Sequence, residues 1–160
     1  MELSDAMGGA EPGTDDEATT SARRVAAELA AAFGAGPDEA QRVLRSLYAG
    51  SVELRHVPAL PSDGVVDGER LAESSGREAA MVRRALPDQR YDGIDVSVDG
   101  DRFDLRTVIR GTLADGAAVR IPTRMRGTVL AGRIVAIEHV LDAETIAAWT
   151  EVAAAGGLAE

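Results

Sequence analysis

A chain of 160 residues, 45% hydrophobic and 28% charged, has room for one domain with a modest core. Its formal charge of −10 argues against nucleic acid as a partner, because a phosphate backbone needs a basic surface. It has no cysteine, which removes disulfides, thiolate metal sites and a cysteine nucleophile together.

Residues 1–20 are rich in Gly, Asp, Glu and Thr without an apolar period, so they read as a disordered tail ahead of one domain over 21–160. No basic start is followed by an apolar core, and no apolar run nears the ~18 residues that span a bilayer. A cytoplasmic protein without a membrane partner is expected. From Ser21, Val25, Leu29, Ala32 and Phe33 recur at helical spacing until Gly34 and Gly36. Pro37 and Asp38 open a second helix carrying Ala40, Val43, Leu44, Leu47 and Tyr48, which Gly50 ends. A short strand follows, with Val52, Leu54 and His56 alternating with Glu53 and Arg55, and Pro58 and Pro61 break it. The stretch 60–68 reads as a loop and about 69–86 as a third helix, with Leu71, Ala79, Val82 and Leu86 inward.

From Tyr91 the period drops to two. Ile94, Val96 and Val98 form one strand. Phe103, Leu105, Thr107 and Ile109 form the next, Val119, Ile121, Thr123, Met125 and Val129 a third, and Val135, Ile137, His139 and Leu141 the last. A final helix over about 143–155 presents Ile146, Trp149 and Val152. If 114–116 is a three-residue loop ending on a left-handed Gly116, Ile109 faces Ile121, Thr107 faces Thr123 and Leu105 faces Met125. The same treatment of 130–132 pairs Met125 with Ile137 and Thr123 with His139. Thr107, Thr123 and His139 then form one inward row, and Arg106, Arg124 and Glu138 an outward one, solvated or dimer-forming.

Two helices, a His-containing strand ending at Pro58, a third helix, long strands and a C-terminal helix resemble the nuclear transport factor 2-like superfamily. SnoaL-like polyketide cyclases and limonene-epoxide hydrolases are nearest within it. The likeness is carried by "ALPDQRYD", "VDGDRFDLRTVIRGTLADG" and "GRIVAIEHVLD" and covers about 22–155. It implies an α+β fold, a cone-shaped curved antiparallel sheet packed on three to four helices and enclosing a small apolar pocket. The hydrolases carry two carboxylates flanking an arginine. Alignment on the last strand puts His139 at one carboxylate, Thr107 and Ile109 at the arginine and the other aspartate, and Leu54 and His56 at the water-binding positions. All of these residues differ from the hydrolase set.

His56 and His139 are the only histidines, and both alternate inward. Imidazole, with an ordinary pKa of ~6.5, can give or take a proton at neutral pH, although either histidine can equally be a hydrogen-bonded core residue. A third metal ligand is not in evidence, so no metal and no cofactor are expected. Asp142 can end the last strand as a site residue or cap the final helix. The sequence thus predicts a small enzyme of secondary metabolism moving protons on a hydrophobic molecule, by cyclisation, isomerisation or epoxide opening. His139 is its principal acid/base and His56 the partner. Thr107, Thr123, Leu54, Ile109, Met125, Tyr48 and Trp149 are the substrate-binding candidates. A homodimer is expected. The alternative is a non-catalytic ligand-binding or dimerisation module of the same fold.

Overall fold

The computed structural model describes residues 13–156, and the domain is built from four helices and six strands. Helix α1 (Gly13–Ala35) buries Ala22, Val25, Ala26, Leu29 and Phe33, one stripe at three- and four-residue spacing. Helix α2 (Pro37–Leu47) starts on a proline, whose missing N–H would be unpaired there anyway, with Asp38 and Glu39 at the positive end of its dipole. Strand β1 (Tyr48–Val57) follows without a linker, and β2 (Gly64–Asp67) folds back on it. Asp67 then caps α3 (Gly68–Ala85), its carboxylate accepting from the N–H groups of Glu69 and Arg70. Strands β3 (Arg90–Asp99), β4 (Arg102–Thr112), β5 (Ala118–Leu130) and β6 (Arg133–Val140) precede α4 (Ala143–Ala155).

The strands form one open sheet in the order β2-β1-β6-β5-β4-β3. Four of its five pairings are antiparallel, while β1 runs parallel to β6. The sheet is therefore mixed and six-stranded, where alternation pointed to five strands and the family resemblance to an antiparallel sheet. The additions have simple origins. A four-residue edge strand lies inside the expected loop at 60–68, and the direction of a pairing distant in sequence cannot be read from hydrophobic alternation. Helix α1 also reaches back into the expected tail. Residues 13–20 are helical, with Asp16 and Glu17 near its N-terminus where the dipole favours acids, and the remainder of the tail lies outside the described residues. Gly50 sits within β1 and does not end α2.

The β4–β5 register is the expected one. Leu105 faces Met125, Thr107 faces Thr123 and Ile109 faces Ile121, with Gly116 left-handed at φ 87°. The β5–β6 register is not. Ala131 and Gly132, at φ 49° and 77°, make a two-residue turn that pairs Leu130 with Arg133. That alone would slip the strands by one residue and turn His139 outward. An irregularity between Thr128 and Val129 adds a second residue of offset, which restores the faces and changes the partners. His139 consequently lies opposite Met125, not Thr123, and Glu138 opposite Arg126, not Arg124.

The helices cover the inner face of the sheet, where two apolar clusters form. The first joins α1 and α2 to Val52, Phe103, Leu105, Met125 and Ile137; the second joins Met81, Val82 and Ala85 of α3 to Ile109, Ile121 and Val152. Each fully buried large side chain, Leu29 or Ile121 for example, contributes roughly 1.5–3 kcal/mol. On β4 and β5, Thr107 and Thr123 fall between the two clusters. The outer face is ion-paired, with Arg124 on Asp104 at 2.6 Å and Arg126 on Glu138 at 3.2 Å.

Candidate functional site

Parallel pairing of the first and last long strands brings the two histidines together. His56 and His139 are register partners, and their rings stack with centroids 5.5 Å apart and planes at 29°. The loop after β1 returns Asp63 to the strand. One Asp63 oxygen lies 2.6 Å from Nδ1 of His56, and the other accepts from the backbone N–H groups of His56 and Leu60 at 3.0 and 3.2 Å. The His56 contact above all, and these N–H groups with it, hold the Asp63 carboxyl below its usual range. An ionised carboxylate can only accept, so the shared proton belongs to Nδ1 and leaves Nε2 of His56 as the basic nitrogen when the ring is neutral. His139 differs: burial first, and the neighbouring His56 second, push it down to about 4. It is a neutral imidazole at neutral pH. An open groove of about 480 Å³ along β1 exposes His56, with Leu54, Ala59, Asp63, Gly64 and Glu138 among its other walls.

The other sequence candidates are dispersed. Thr107 is buried, and its hydroxyl lies 2.6 Å from that of Thr123, which makes a polar pair on the sheet floor. Met125 lies beside His139 in register and, like Leu54, belongs to the first cluster; Ile109 and Trp149 belong to the second. Tyr48 is buried, and desolvation pushes its hydroxyl up to about 12, opposed by the adjacent Ser75. Asp142 caps α4, accepting from the Thr145 N–H at 2.8 Å. Arg106 and Arg124 stay on the outer face.

Glu78 of α3 was not among the candidates. Desolvation raises its carboxyl, and the positive side of His56 opposes that rise. Its charge also acts on Tyr48 and on Tyr91 of β3, whose hydroxyl burial raises to about 12. The residue is nonetheless exposed. Among the described residues no group of three or more His, Cys, Asp or Glu is placed to hold a metal ion, and no helix is long and apolar enough to cross a membrane.

Neither a protein-family model nor a curated protein sequence matches the chain. Solved structures do. A protein from Jannaschia sp. CCS1 described as a SnoaL-like polyketide cyclase aligns with a TM-score of 0.55 at 17% identity, over 92% of this chain and 99% of its own. A limonene-epoxide-hydrolase-like epoxide hydrolase of M. tuberculosis gives 0.53 at 15%, over 88% and 95%. A nuclear transport factor 2-like protein of Burkholderia pseudomallei gives 0.56 at 18%, over 80% and 96%. This chain has the nuclear transport factor 2-like fold. Within that fold, the positions that the hydrolase resemblance assigns to carboxylates and arginine carry His139, Thr107 and Ile109. The acid that pairs with His56 stands elsewhere, for Asp63 follows β1.

Proposed function

We propose that this nuclear transport factor 2-like chain is a cofactor-independent enzyme of secondary metabolism that moves protons on a hydrophobic small molecule, in cyclisation, isomerisation or epoxide opening. The observation that carries the reading is the Asp63–His56 pair stacked against His139. A carboxylate that fixes the tautomer and orientation of an imidazole is how a general base is made ready at neutral pH. His56 is the base, through Nε2. His139, kept neutral by burial, orients the substrate by hydrogen bonding and keeps a second positive charge away from His56. These roles invert the weighting that residue type alone gave the two histidines. The cyclase and epoxide hydrolase that share the fold make such chemistry reasonable, though a fold by itself licenses no reaction.

The test is a panel of polycyclic aromatic ketones, phenols and epoxides, followed by mass spectrometry for conversion. His56→Ala and Asp63→Asn should each lower the rate on a converted compound by ~10² to 10⁴ while leaving the fold intact. Undiminished conversion by both variants would eliminate the pair as the catalytic group. Binding without conversion anywhere in the panel would favour the non-catalytic ligand-binding module.

A further inference from the structure

Strand β2 stops short of the end of β1. Their ladder closes at Leu54 and Gly64, whereas β1 runs on through Arg55, His56 and Val57 with β6 on one side only. The loop after β1 fills the other side, and the Asp63 carboxylate takes the His56 N–H that a further strand would have paired. Between strand edge and loop lies the open groove of about 480 Å³. Five consecutive residues of β1, 53–57, line it, so it follows the edge of the strand and not its inner face alone. An added Cβ on Gly64 would meet nothing within 4 Å, which leaves that wall open. The rim is apolar. Val57, Leu60 and Val65 keep 46%, 40% and 77% of their surface exposed, and they are three of the five large hydrophobic side chains exposed among the described residues. Val57 lines the groove, Val65 stands opposite Glu53 in register, and Leu60 holds Asp63 through its N–H. The charges on the walls are unequal, with the three carboxylates of Glu53, Asp63 and Glu138 against the one guanidinium of Arg55. Arg55 bonds Glu53, and Arg126 reaches Glu138 from outside the groove at 3.2 Å. The carboxylate without a permanent counter-ion is that of Asp63, whose partner is an imidazole.

We infer that this strand-edge groove binds a hydrophobic amine, its ammonium among the carboxylates of Glu53, Asp63 and Glu138 and its apolar body on Val57 and Ala59, running out over Leu60 and Val65. The inference rests on the proton-transfer reading for the place of the ligand beside His56, and adds its charge and its route, from the edge of the sheet. Two effects act together. The apolar rim is surface left in water, which a hydrophobic body covers on binding. The carboxylates then choose the sign of the head group, because an anion would meet three like charges and a cation only Arg55. An ammonium also carries donors alone, and both a carboxylate and the Nε2 lone pair of neutral His56 are acceptors. The groove is open to water, so this choice of sign is sensitive to salt.

The experiment compares three naphthalenes that differ in one group, 1-naphthylmethylamine, 1-naphthalenemethanol and 1-naphthoate, by NMR titration of the backbone amides at pH 7 and low salt. The amine should bind tightest, the alcohol more weakly and the naphthoate least, with shifts centred on His56, Val57 and Gly64. Salt at about 0.5 M should erase the advantage of the amine over the alcohol. Arg55→Gln removes the guanidinium from the groove wall and should tighten the amine about two- to fivefold. Glu138→Gln should weaken it by a similar factor, and neither change should move the alcohol. Ala59→Trp fills the groove and should abolish binding of all three. Should that variant unfold, Leu60→Ser on the exposed rim carries the same point by weakening amine and alcohol alike. Naphthoate binding as tightly as the amine would overturn the charge class. Shifts centred on the inner face at Thr107 and Ile121, or no binding by any of the three, would overturn the groove as the site. A dimer in sedimentation that Leu60→Ser with Val65→Ser breaks would mean that a second copy covers the rim, which overturns the small-molecule occupant. None of these measurements needs turnover, so the groove can fail here while the proton-transfer reading stands or falls in its own conversion assay.

Discussion

Burial beside a second imidazole makes His139 a neutral group with a consequence for stability. Its folded pKa, about 4, lies below the ordinary value near 6.5, so between those limits the unfolded chain binds the extra proton and the folded one resists it. Stability from this residue is complete above pH ~6.5 and drains away as the pH falls toward 4, by about 3 kcal/mol in total. Urea titrations at pH 7 and pH 4.5 should show that loss, and His139→Phe should flatten it; an unchanged slope in the variant would mean that other groups govern the transition. Both histidines could be assigned to the inner face from period-two alternation. The acid that pairs with one of them could not. Asp63 reaches His56 across a loop whose Pro, Ser, Asp and Gly content announces only irregular backbone.

At the scale of elements, the hairpins show how far pattern carries and where it stops. A three-residue loop closed by Gly116 followed from matching apolar faces, and the β4–β5 pairing obeys it to the last residue. The next hairpin has equally apolar strands, yet its two-residue turn and its irregularity are compensating offsets that alternation cannot register singly. Faces were therefore legible and partners were not. Helix α3 offers a test of placement. Gly68, buried at its first turn, sits against the Ala49 carbonyl of β1, and an added Cβ would run into that oxygen. Backbone cannot step aside as a side chain can. Gly68→Ala should cost on the order of 2–3 kcal/mol in urea unfolding and misplace Ser75 and Glu78 with the helix. Gly50→Ala in the same strand meets nothing within 4 Å and should stay within roughly 0.5 kcal/mol. Equal stability of the two variants would show that α3 can re-seat itself.

Across the whole molecule, local and distant pairings are unequally divided. Strands β3, β4, β5 and β6 follow one another as hairpin neighbours, whereas β1 lies between its neighbour β2 and the last strand. Loop-closure entropy must be met before β1 and β6 can pair, so the hairpins should form first. Pulsed hydrogen exchange during refolding should find β4 and β5 amides protected early, and those of β1 at Leu54 and His56 only together with β6. Protection of β1 ahead of β6 would show that β2 and α3 suffice to hold it. In a nascent chain, His56 leaves the ribosome more than eighty residues before its stacking partner. The stacked pair cannot exist until β6 has emerged, so a molecule that binds against both imidazoles would act on one of the last pairings of the sheet to form.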